Sequence, residues 1–337
     1  MPSRPTGKYK EAAMKNSITC VPGIKVGHAQ NLEGATGCTV ILCEAGAVPG
    51  VDVRGGAPGV RETDTLNPVN FVEEAHAVYL GGGSAYGLDG AAGVMQYLEE
   101  RKIGLDVGVG VVPIVPGAVL FDLPVVRADI RPDKAMGYQA CLNATAEEAS
   151  MGNVGAGTGA TIGKPAGPEY IMKGGLGTAC RQVGDLIVGA LVAVNCFGDI
   201  VDPATGRIIA GALNARKDGF ADSLEVLAGR AATGVNVIGS NTTIGCVATN
   251  ARLTKAQVTK VAQMTHDGFA RTINPIHTMY DGDTVFALAT GQVEADLTAV
   301  GSLAAQVMAQ AVLNGIRAAE TLFGIPGYGD IQKKLKG

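Results

Sequence analysis

The stretch from Ser240 to Asn250 contains the residue types that most directly suggest a reaction. It reads Ser-Asn-Thr-Thr-Ile-Gly-Cys-Val-Ala-Thr-Asn, so a polar segment leads straight into a short apolar strand. Thr242 lies at the junction, after the small amide residue Asn241. A threonine hydroxyl paired with its own α-amino group is an established nucleophile and base. The junction therefore suits a chain that cleaves itself before Thr242, although an ordinary strand threonine would explain the same residues.

Two carboxylates flank a glycine in Asp281-Gly282-Asp283, immediately before another apolar strand. Residues i and i+2 of an extended chain share a face, so Asp281 and Asp283 can reach one site. Neighbouring like charges raise the pKa of one partner, which favours proton transfer. A plain turn is the alternative, because Asp and Gly are common turn residues. We interpret His277, four residues before Asp281, as a structural histidine.

Asn195 and Lys164 are candidates to support the reaction. Asn195 ends the apolar run 186–194, where its amide could donate to a developing oxyanion, and a capped strand end is the alternative. Lys164 follows the glycine-rich segment 155–163, but Pro165 takes the Ser/Thr position of a phosphate-binding loop and the glycine spacing fails. We reject that loop. Lys164 could instead lower the pKa of a nucleophile or hold a carbonyl oxygen, or it could be a solvated surface lysine.

The segment Gly81-Gly82-Gly83-Ser84-Ala85-Tyr86-Gly87 lies between a predicted strand and a predicted helix. It matches a dinucleotide fingerprint only loosely, because Tyr86 occupies the place of the third glycine. Backbone N–H groups at a helix N-terminus can still bind a carbonyl or anionic oxygen. Gly82, Gly83, Ser84 and Tyr86 are therefore candidate substrate-binding residues, with close strand–helix packing as the alternative. Ser84 lacks the GxSxG context, which disfavours an α/β-hydrolase.

Alternating strands and helices must position these residues. Apolar runs predict strands at 77–80, 186–194, 243–249 and 284–290, and amphipathic patterns predict helices at 85–101, 132–150, 254–272 and 302–324. Thr254 and Gln257 form a capping box, and Ser302 is the expected cap of the last helix. No linker or repeat divides the chain, so we expect a single domain over 1–337 after a loose charged leader, 1–17. Sheets covered by helices are the expected architecture.

Composition excludes several classes of function. The chain is 47% hydrophobic and 17% charged, which allows a large core and leaves apolar surface for a homo-oligomer. The net charge of −4 without a basic stripe argues against nucleic-acid binding. The most apolar stretch, 107–121, is too short and proline-broken for a membrane span, and the N-terminus lacks a signal-peptide core.

The cysteines and histidines indicate neither a metal nor a redox site. Seven scattered cysteines without a CxxC pair predict buried free thiols in a reducing cytoplasm. Four histidines show no zinc-binding spacing. We expect no metal and no cofactor.

Taken together and in order, these segments resemble the P1 family of self-cleaving peptidases, which includes D-aminopeptidases, β-peptidyl aminopeptidases and nylon-oligomer (6-aminohexanoate-oligomer) endohydrolases. The likeness extends over about residues 19–322. Its parts are Val-Pro-Gly-Ile-Lys-Val-Gly-His at 21–28, Val-Arg-Gly-Gly at 53–56, the glycine-rich segment at 81–88, Asn-Thr-Thr-Ile at 241–244 and Asp-Gly-Asp-Thr at 281–284. The nylon-oligomer branch is similar in having Asn-Thr-Thr and Asp-Gly-Asp at the same places. It has a tyrosine where this chain has Phe121, a candidate substrate contact.

The resemblance implies a four-layer αββα sandwich and an N-terminal-nucleophile amide hydrolase that is cleaved into 1–241 and 242–337. By the same matching, Thr242 is the nucleophile and its α-amine the base, while Asp281 and Asp283 orient that terminus. Lys164 and Asn195 fall at positions that support the nucleophile and the oxyanion. The implied substrates are small amides, peptides or ω-amino-acid oligomers, and the implied assembly is a tetramer of processed units.

Two other functions fit parts of the sequence. An acyltransferase of the ornithine acetyltransferase type also uses a self-generated threonine, but its typical Ala-Thr-Met-Leu site is missing here. A non-catalytic, oligomeric ligand-binding protein would need Thr242 only as a structural residue.

Overall fold

The computed structural model describes residues 16–233 and 241–336, which contain six helices and sixteen strands. The helices are α1 (Gly90–Glu99), α2 (Lys134–Leu142), α3 (Ser223–Thr233), α4 (Lys255–Thr272), α5 (Leu297–Ala318) and α6 (Tyr328–Lys336). The strands are β1 (Lys25–Asn31), β2 (Thr36–Val53), β3 (Gly59–Arg61), β4 (Ala75–Gly81), β5 (Leu105–Asp106), β6 (Val111–Val112), β7 (Gly117–Val119), β8 (Thr161–Ile162), β9 (Met172–Lys173), β10 (Gly175–Val183), β11 (Leu186–Asn195), β12 (Asp199–Asp202), β13 (Arg207–Ala210), β14 (Thr242–Ala251), β15 (Ile273–Asn274) and β16 (Thr284–Val293).

The 18-residue strand β2 belongs to two sheet layers. Its first part pairs with β1 and β4, and its last part, from Val48 to Val53, pairs antiparallel with β16. The strand path β10-β11-β14-β16-β2-β4-β7-β3 therefore passes from one layer into the other. Strands β14 and β16 run parallel, as do β4 and β7, so the sheet is mixed.

Three apolar clusters separate four layers. The central cluster lies between the two sheet layers and includes Leu80 from one and Leu191 and Phe286 from the other. A second cluster packs α4 and α5 against β10, β11, β14 and β16. A third packs α1 and α2 against β2 and β4. Because each sheet face that points away from the central cluster is covered by helices, the fold is an αββα sandwich, which confirms the predicted fold class.

Local signals located the four predicted strands and helix α4 correctly. The apolar runs predicted at 77–80, 186–194, 243–249 and 284–290 are β4, β11, β14 and β16. The capping box of α4 is present: Thr254 Oγ1 accepts the Gln257 N–H, and Gln257 Oε1 accepts the Thr254 N–H at 2.8 Å. Short-range capping and buried-strand composition therefore carried reliable information here.

Three helix predictions were wrong in extent. The first consists of a 3-10 turn at Ser84–Asp89 followed by α1. Helix α2 ends at Leu142, because Thr145 forms a backbone bridge to Val26 in β1 and takes the chain out of the helix. The helix predicted at 302–324 is α5, which begins at Leu297 because the Asp296 side chain accepts the Ala299 N–H. Ser302 lies inside this helix.

The cysteine prediction also needs correction. Cys20 and Cys180 form a disulfide, while the other five cysteines are buried free thiols. The two partners are 160 residues apart in the chain, and they meet because the turn at Ile18–Cys20 packs against β10 and β11. The prediction that all seven cysteines are free thiols is therefore wrong, and a disulfide gives no support to the expected reducing compartment.

Helix α5 is long and apolar enough to span a membrane by length and composition alone. In the fold it packs on α4, β10 and β11, and 67% of its apolar window is buried inside the protein. Its hydrophobicity is thus used in the core of the sandwich.

Candidate active site

The end of β11 and the starts of β14 and β16 meet at one edge of the sheet layer that contains these three strands. Asn195, the last residue of β11, is paired with Thr242, the first residue of β14. Strand β16 is parallel to β14, so the Asp281–Asp283 segment that precedes it lies at the same edge. The structure therefore brings together residues from three separate parts of the chain that the sequence singled out.

The peptide group between Asn241 and Thr242 is held in place by the segment beside it. The Asn241 N–H donates to Tyr280 O at 3.1 Å, and Asn241 O accepts the Gly282 N–H at 3.1 Å. Thr242 Oγ1 contacts the same carbonyl oxygen, and only 4% of Thr242 is exposed. A buried hydroxyl thus lies against a hydrogen-bonded carbonyl group.

Asp283 connects strand β14 to His277. One of its carboxylate oxygens accepts the Thr243 N–H at 2.7 Å, and the other accepts the His277 N–H at 3.1 Å and lies 2.8 Å from His277 Nδ1. His277 is therefore hydrogen-bonded as expected of a structural histidine, and its partner is a site residue. The backbone next to Thr242 is fixed by a charge-assisted hydrogen bond.

Asp281 is fully buried beside Asp283. Burial, followed by repulsion from Asp283, raises the pKa of Asp281 to about 6. Its Oδ2 accepts the N–H of Thr278 at 2.9 Å and the hydroxyl at 2.5 Å, which opposes that rise. Asp281 can therefore change protonation near neutral pH.

Lys164 and Asn195 are in direct contact. Lys164 Nζ donates to Asn195 Oδ1 at 2.9 Å and to Asn195 O at 3.2 Å, and Oδ1 also accepts the Thr161 N–H. The Asn195 Nδ2 group donates to Phe121 O at 3.1 Å. A lysine can only donate and a carbonyl oxygen can only accept, so these partners fix the orientation of the amide. Burial lowers the pKa of Lys164 to about 8, and Cys196, Asp281 and other acidic groups oppose that shift.

The glycine-rich loop is anchored to the residues next to Phe121. Gly83 N–H donates to Asp122 Oδ1 at 2.7 Å, and Ser84 N–H donates to Leu120 O at 3.0 Å. A side chain at Gly82 would lie 2.1 Å from Asp122 Oδ2, so only glycine fits there. The loop thus packs against the residues on either side of Phe121, through Gly82, Gly83 and Ser84.

Tyr86 has a different position from the rest of that loop. It is 64% exposed, and the Arg131 guanidinium lies 4.1 Å from the centre of its ring. Its aromatic ring is therefore part of the surface.

Sequence reasoning missed Lys173, which is fully buried. Its ammonium donates to Thr158 O at 2.8 Å and Ala160 O at 2.7 Å, and burial lowers its pKa to about 7. These bonds hold the glycine-rich segment whose Thr161 N–H binds Asn195. A lysine between the apolar pair Ile171-Met172 and Gly174-Gly175 was the available signal. Thr278, the hydroxyl partner of Asp281, was also missed.

Within residues 16–233 and 241–336, no group of three or more His, Cys, Asp or Glu side chains has an arrangement that could hold a metal ion. The carboxylates of Asp281 and Asp283 and the amide of Asn195 instead hydrogen-bond to protein groups near Thr242.

Comparison with known proteins identifies the family. The model of peptidase family S58 matches residues 16–328, which is nearly the whole chain. The chain belongs to peptidase family S58. An uncharacterized aminopeptidase of Mycobacterium tuberculosis is 45% identical over 94% of this chain and 98% of its own length. The 6-aminohexanoate-oligomer endohydrolase of Paenarthrobacter ureafaciens is 35% identical over 87% of this chain and 83% of its own length.

A solved structure supports the same fold. The L-aminopeptidase D-Ala-esterase/amidase of Ochrobactrum anthropi, a variant of the Ntn-hydrolase fold, superposes with a TM-score of 0.71 at 18% identity, covering 96% of this chain and 94% of that one. The family resemblance inferred from the motifs is confirmed. This S58 member is an amide hydrolase, and the comparisons give no support to the acyltransferase alternative.

Proposed function

We propose that the chain cleaves its own Asn241–Thr242 peptide bond and then works as an N-terminal-threonine amide hydrolase. The observation that carries the proposal is the buried contact between Thr242 Oγ1 and the Asn241 carbonyl group, which accepts a hydrogen bond from Gly282. A hydroxyl held beside a hydrogen-bonded carbonyl group in a buried site supports an intramolecular attack.

The self-cleavage proceeds by acyl transfer. The Thr242 oxygen adds to the Asn241 carbonyl carbon and its proton is transferred to the departing nitrogen. The C–N bond then breaks, leaving an ester between Asn241 and the threonine oxygen and a free α-amine on Thr242. Water hydrolyses the ester, which yields the Asn241 carboxylate and a free threonine hydroxyl. No other co-reactant is required.

In the mature enzyme the α-amine of Thr242 is the base. A model α-amine has a pKa of about 7.7–8.0, so a modest decrease makes it effective at neutral pH. It accepts the hydroxyl proton as the oxygen attacks a substrate amide, and it returns a proton to the leaving amine. Water then releases the acyl group from Thr242.

The remaining site residues have supporting roles in this proposal. Asp281 and Asp283 hold the new terminus, and Lys164 with Asn195 fixes the neighbouring strand end and supports the oxyanion. Phe121, Gly82, Gly83 and Ser84 border the substrate side. The names of the aminopeptidase and oligomer-hydrolase relatives favour small peptides or ω-amino-acid oligomers as substrates. The apolar composition of the chain favours assembly of the processed units as a homo-oligomer.

The test is the covalent state of the purified protein. Cleavage turns the 34.2 kDa chain into fragments of about 24 and 10 kDa, since 96 of 337 residues follow the bond. The small fragment should begin Thr-Thr-Ile-Gly when sequenced from its N-terminus. Intact mass spectrometry and a denaturing gel measure the conversion.

An isosteric pair of variants provides the control. Thr242→Val removes only the attacking hydroxyl and should leave one intact, inactive chain. Thr243→Val makes the same change one residue later, at a buried hydroxyl without a hydrogen-bond partner in the described part of the chain, and should still be processed. Full amidase activity in an uncleaved wild-type chain would refute the proposal.

A further inference from the structure

Gly282, between the two carboxylates of Asp281-Gly282-Asp283, makes a contact that neither carboxylate makes. Its backbone N–H donates to Asn241 O, the carbonyl oxygen of the bond proposed to be cleaved, at 3.1 Å. The position of this N–H is fixed from both sides. Ala57 N–H donates to Asp281 O at 2.8 Å, and Thr284 Oγ1 donates to Gly282 O at 3.0 Å.

The contact depends on the absence of a side chain at position 282. A Cβ built on Gly282 would lie 2.7 Å from Thr242 Oγ1 and 2.9 Å from Ala57 O. Real Cβ atoms do not approach other heavy atoms so closely. Any larger residue at position 282 would therefore clash with the Thr242 hydroxyl and with the backbone of Ala57. Glycine is therefore needed to let the donor and the hydroxyl reach the same carbonyl group.

We propose that the Gly282 N–H is the oxyanion donor of the self-cleavage step, an inference that rests on the proposed function. When Thr242 Oγ adds to the Asn241 carbonyl carbon, the π electrons of the carbonyl move onto its oxygen. The Gly282 N–H already points at that oxygen in a buried site. A fixed, buried donor aimed at developing charge stabilises the transition state without reorganisation.

This assignment gives the Asp-Gly-Asp sequence a further role. The two aspartates fix the Thr278 and Thr243 backbones, and the glycine between them supplies the hydrogen bond to the carbonyl. The pairing of Asn241 with this segment, Asn241 N–H to Tyr280 O and Gly282 N–H to Asn241 O, resembles one step of a parallel strand ladder. The fold thus uses strand-type pairing to hold the bond that is broken.

The experiment replaces one backbone N–H by oxygen. Glycolic acid is incorporated at position 282 of the full chain by nonsense suppression in cell-free translation, which turns the peptide N–H into an ester oxygen without adding atoms. The matched control places glycolic acid at Gly152, which deletes a buried N–H that donates to Leu176 O at 2.7 Å outside the candidate site. Conversion to the two fragments is followed over time at a temperature at which thermal melting shows both proteins folded.

Removal of one oxyanion donor is expected to slow self-cleavage by about 10²–10³-fold at position 282 relative to the Gly152 control. Equal rates for the two esters would overturn the assignment. If the 282 ester does not fold, Gly282→Ala decides instead. Its Cβ clashes with both Thr242 Oγ1 and Ala57 O, so it disturbs the shared contact of the donor and the hydroxyl with the Asn241 carbonyl, and processing at the wild-type rate would overturn the assignment as well. A wild-type chain that is never cleaved would instead overturn the proposed function.

Discussion

The buried carboxylate Asp281 should make the uncleaved chain less stable as the pH rises. Its pKa in the fold is about 6, compared with 3.8 for a free aspartate, chiefly because it is buried and secondly because Asp283 is near. A raised pKa in the folded state contributes stability at low pH, and that contribution is lost as the pH rises through the folded-state value. The relevant window is therefore about pH 4 to pH 7.

The magnitude follows from the difference between the two pKa values. Moving a pKa from 3.8 to about 6 corresponds to about 3 kcal/mol at about 1.36 kcal/mol per pH unit. An unfolding entropy of about 2.1 cal/mol/K per residue gives roughly 0.7 kcal/mol/K for 337 residues. The expected change in melting temperature from this one group is therefore about 4 °C.

The assay compares two uncleaved proteins, Thr242→Ala and Thr242→Ala/Asp281→Asn, by thermal melting between pH 4 and pH 7.5. Titrating groups that do not interact with Asp281 are common to both proteins, so they cancel in the difference. The melting temperature of the double variant should gain about 4 °C on that of the single variant as the pH rises across this range. A difference that does not change with pH, or that changes in the opposite direction, would refute the assigned environment of Asp281.

Three other outcomes are expected. In the proposed processed enzyme the terminal α-amine must be neutral to act as base. Asp281→Asn should lower the pKa of that amine and Lys164→Met should raise it, so the acid limb of the kcat/KM profile should move to lower and to higher pH, respectively, by roughly 1 pH unit. Shifts in the same direction would contradict this. Thiol titration in denaturant should find five thiols without reductant and seven after reduction, because Cys20 and Cys180 form a disulfide. Reduction should lower the unfolding free energy by about 2–5 kcal/mol. Seven thiols in both conditions would disprove the disulfide. Phe121→Tyr adds a hydroxyl at the segment bound by Asn195 and should raise kcat/KM on linear 6-aminohexanoate oligomers by about tenfold, the value of one hydrogen bond, while self-cleavage keeps its rate; an unchanged kcat/KM would remove Phe121 from the substrate site.

Sequence alone was sufficient where the signal is local. The capping box at Thr254 involves residues only three apart. The apolar run of β11 is buried along most of its length, and its composition predicts this burial without knowledge of the neighbouring strands. The order of short motifs also indicated the family and the residues to examine, including Thr242 and Lys164. Local bonding and composition are properties of a segment, so they are readable before the fold is known.

The tertiary structure decided which of these residues meet and through which atoms. The bond from Gly282 to the Asn241 carbonyl joins positions 41 residues apart, and the disulfide joins positions separated by 160. The two buried hydrogen bonds of Lys173 and the early end of α2 likewise depend on partners brought in by packing. Such contacts are set by the pairing of strands across two sheet layers, and no single segment of the sequence contains both of their halves.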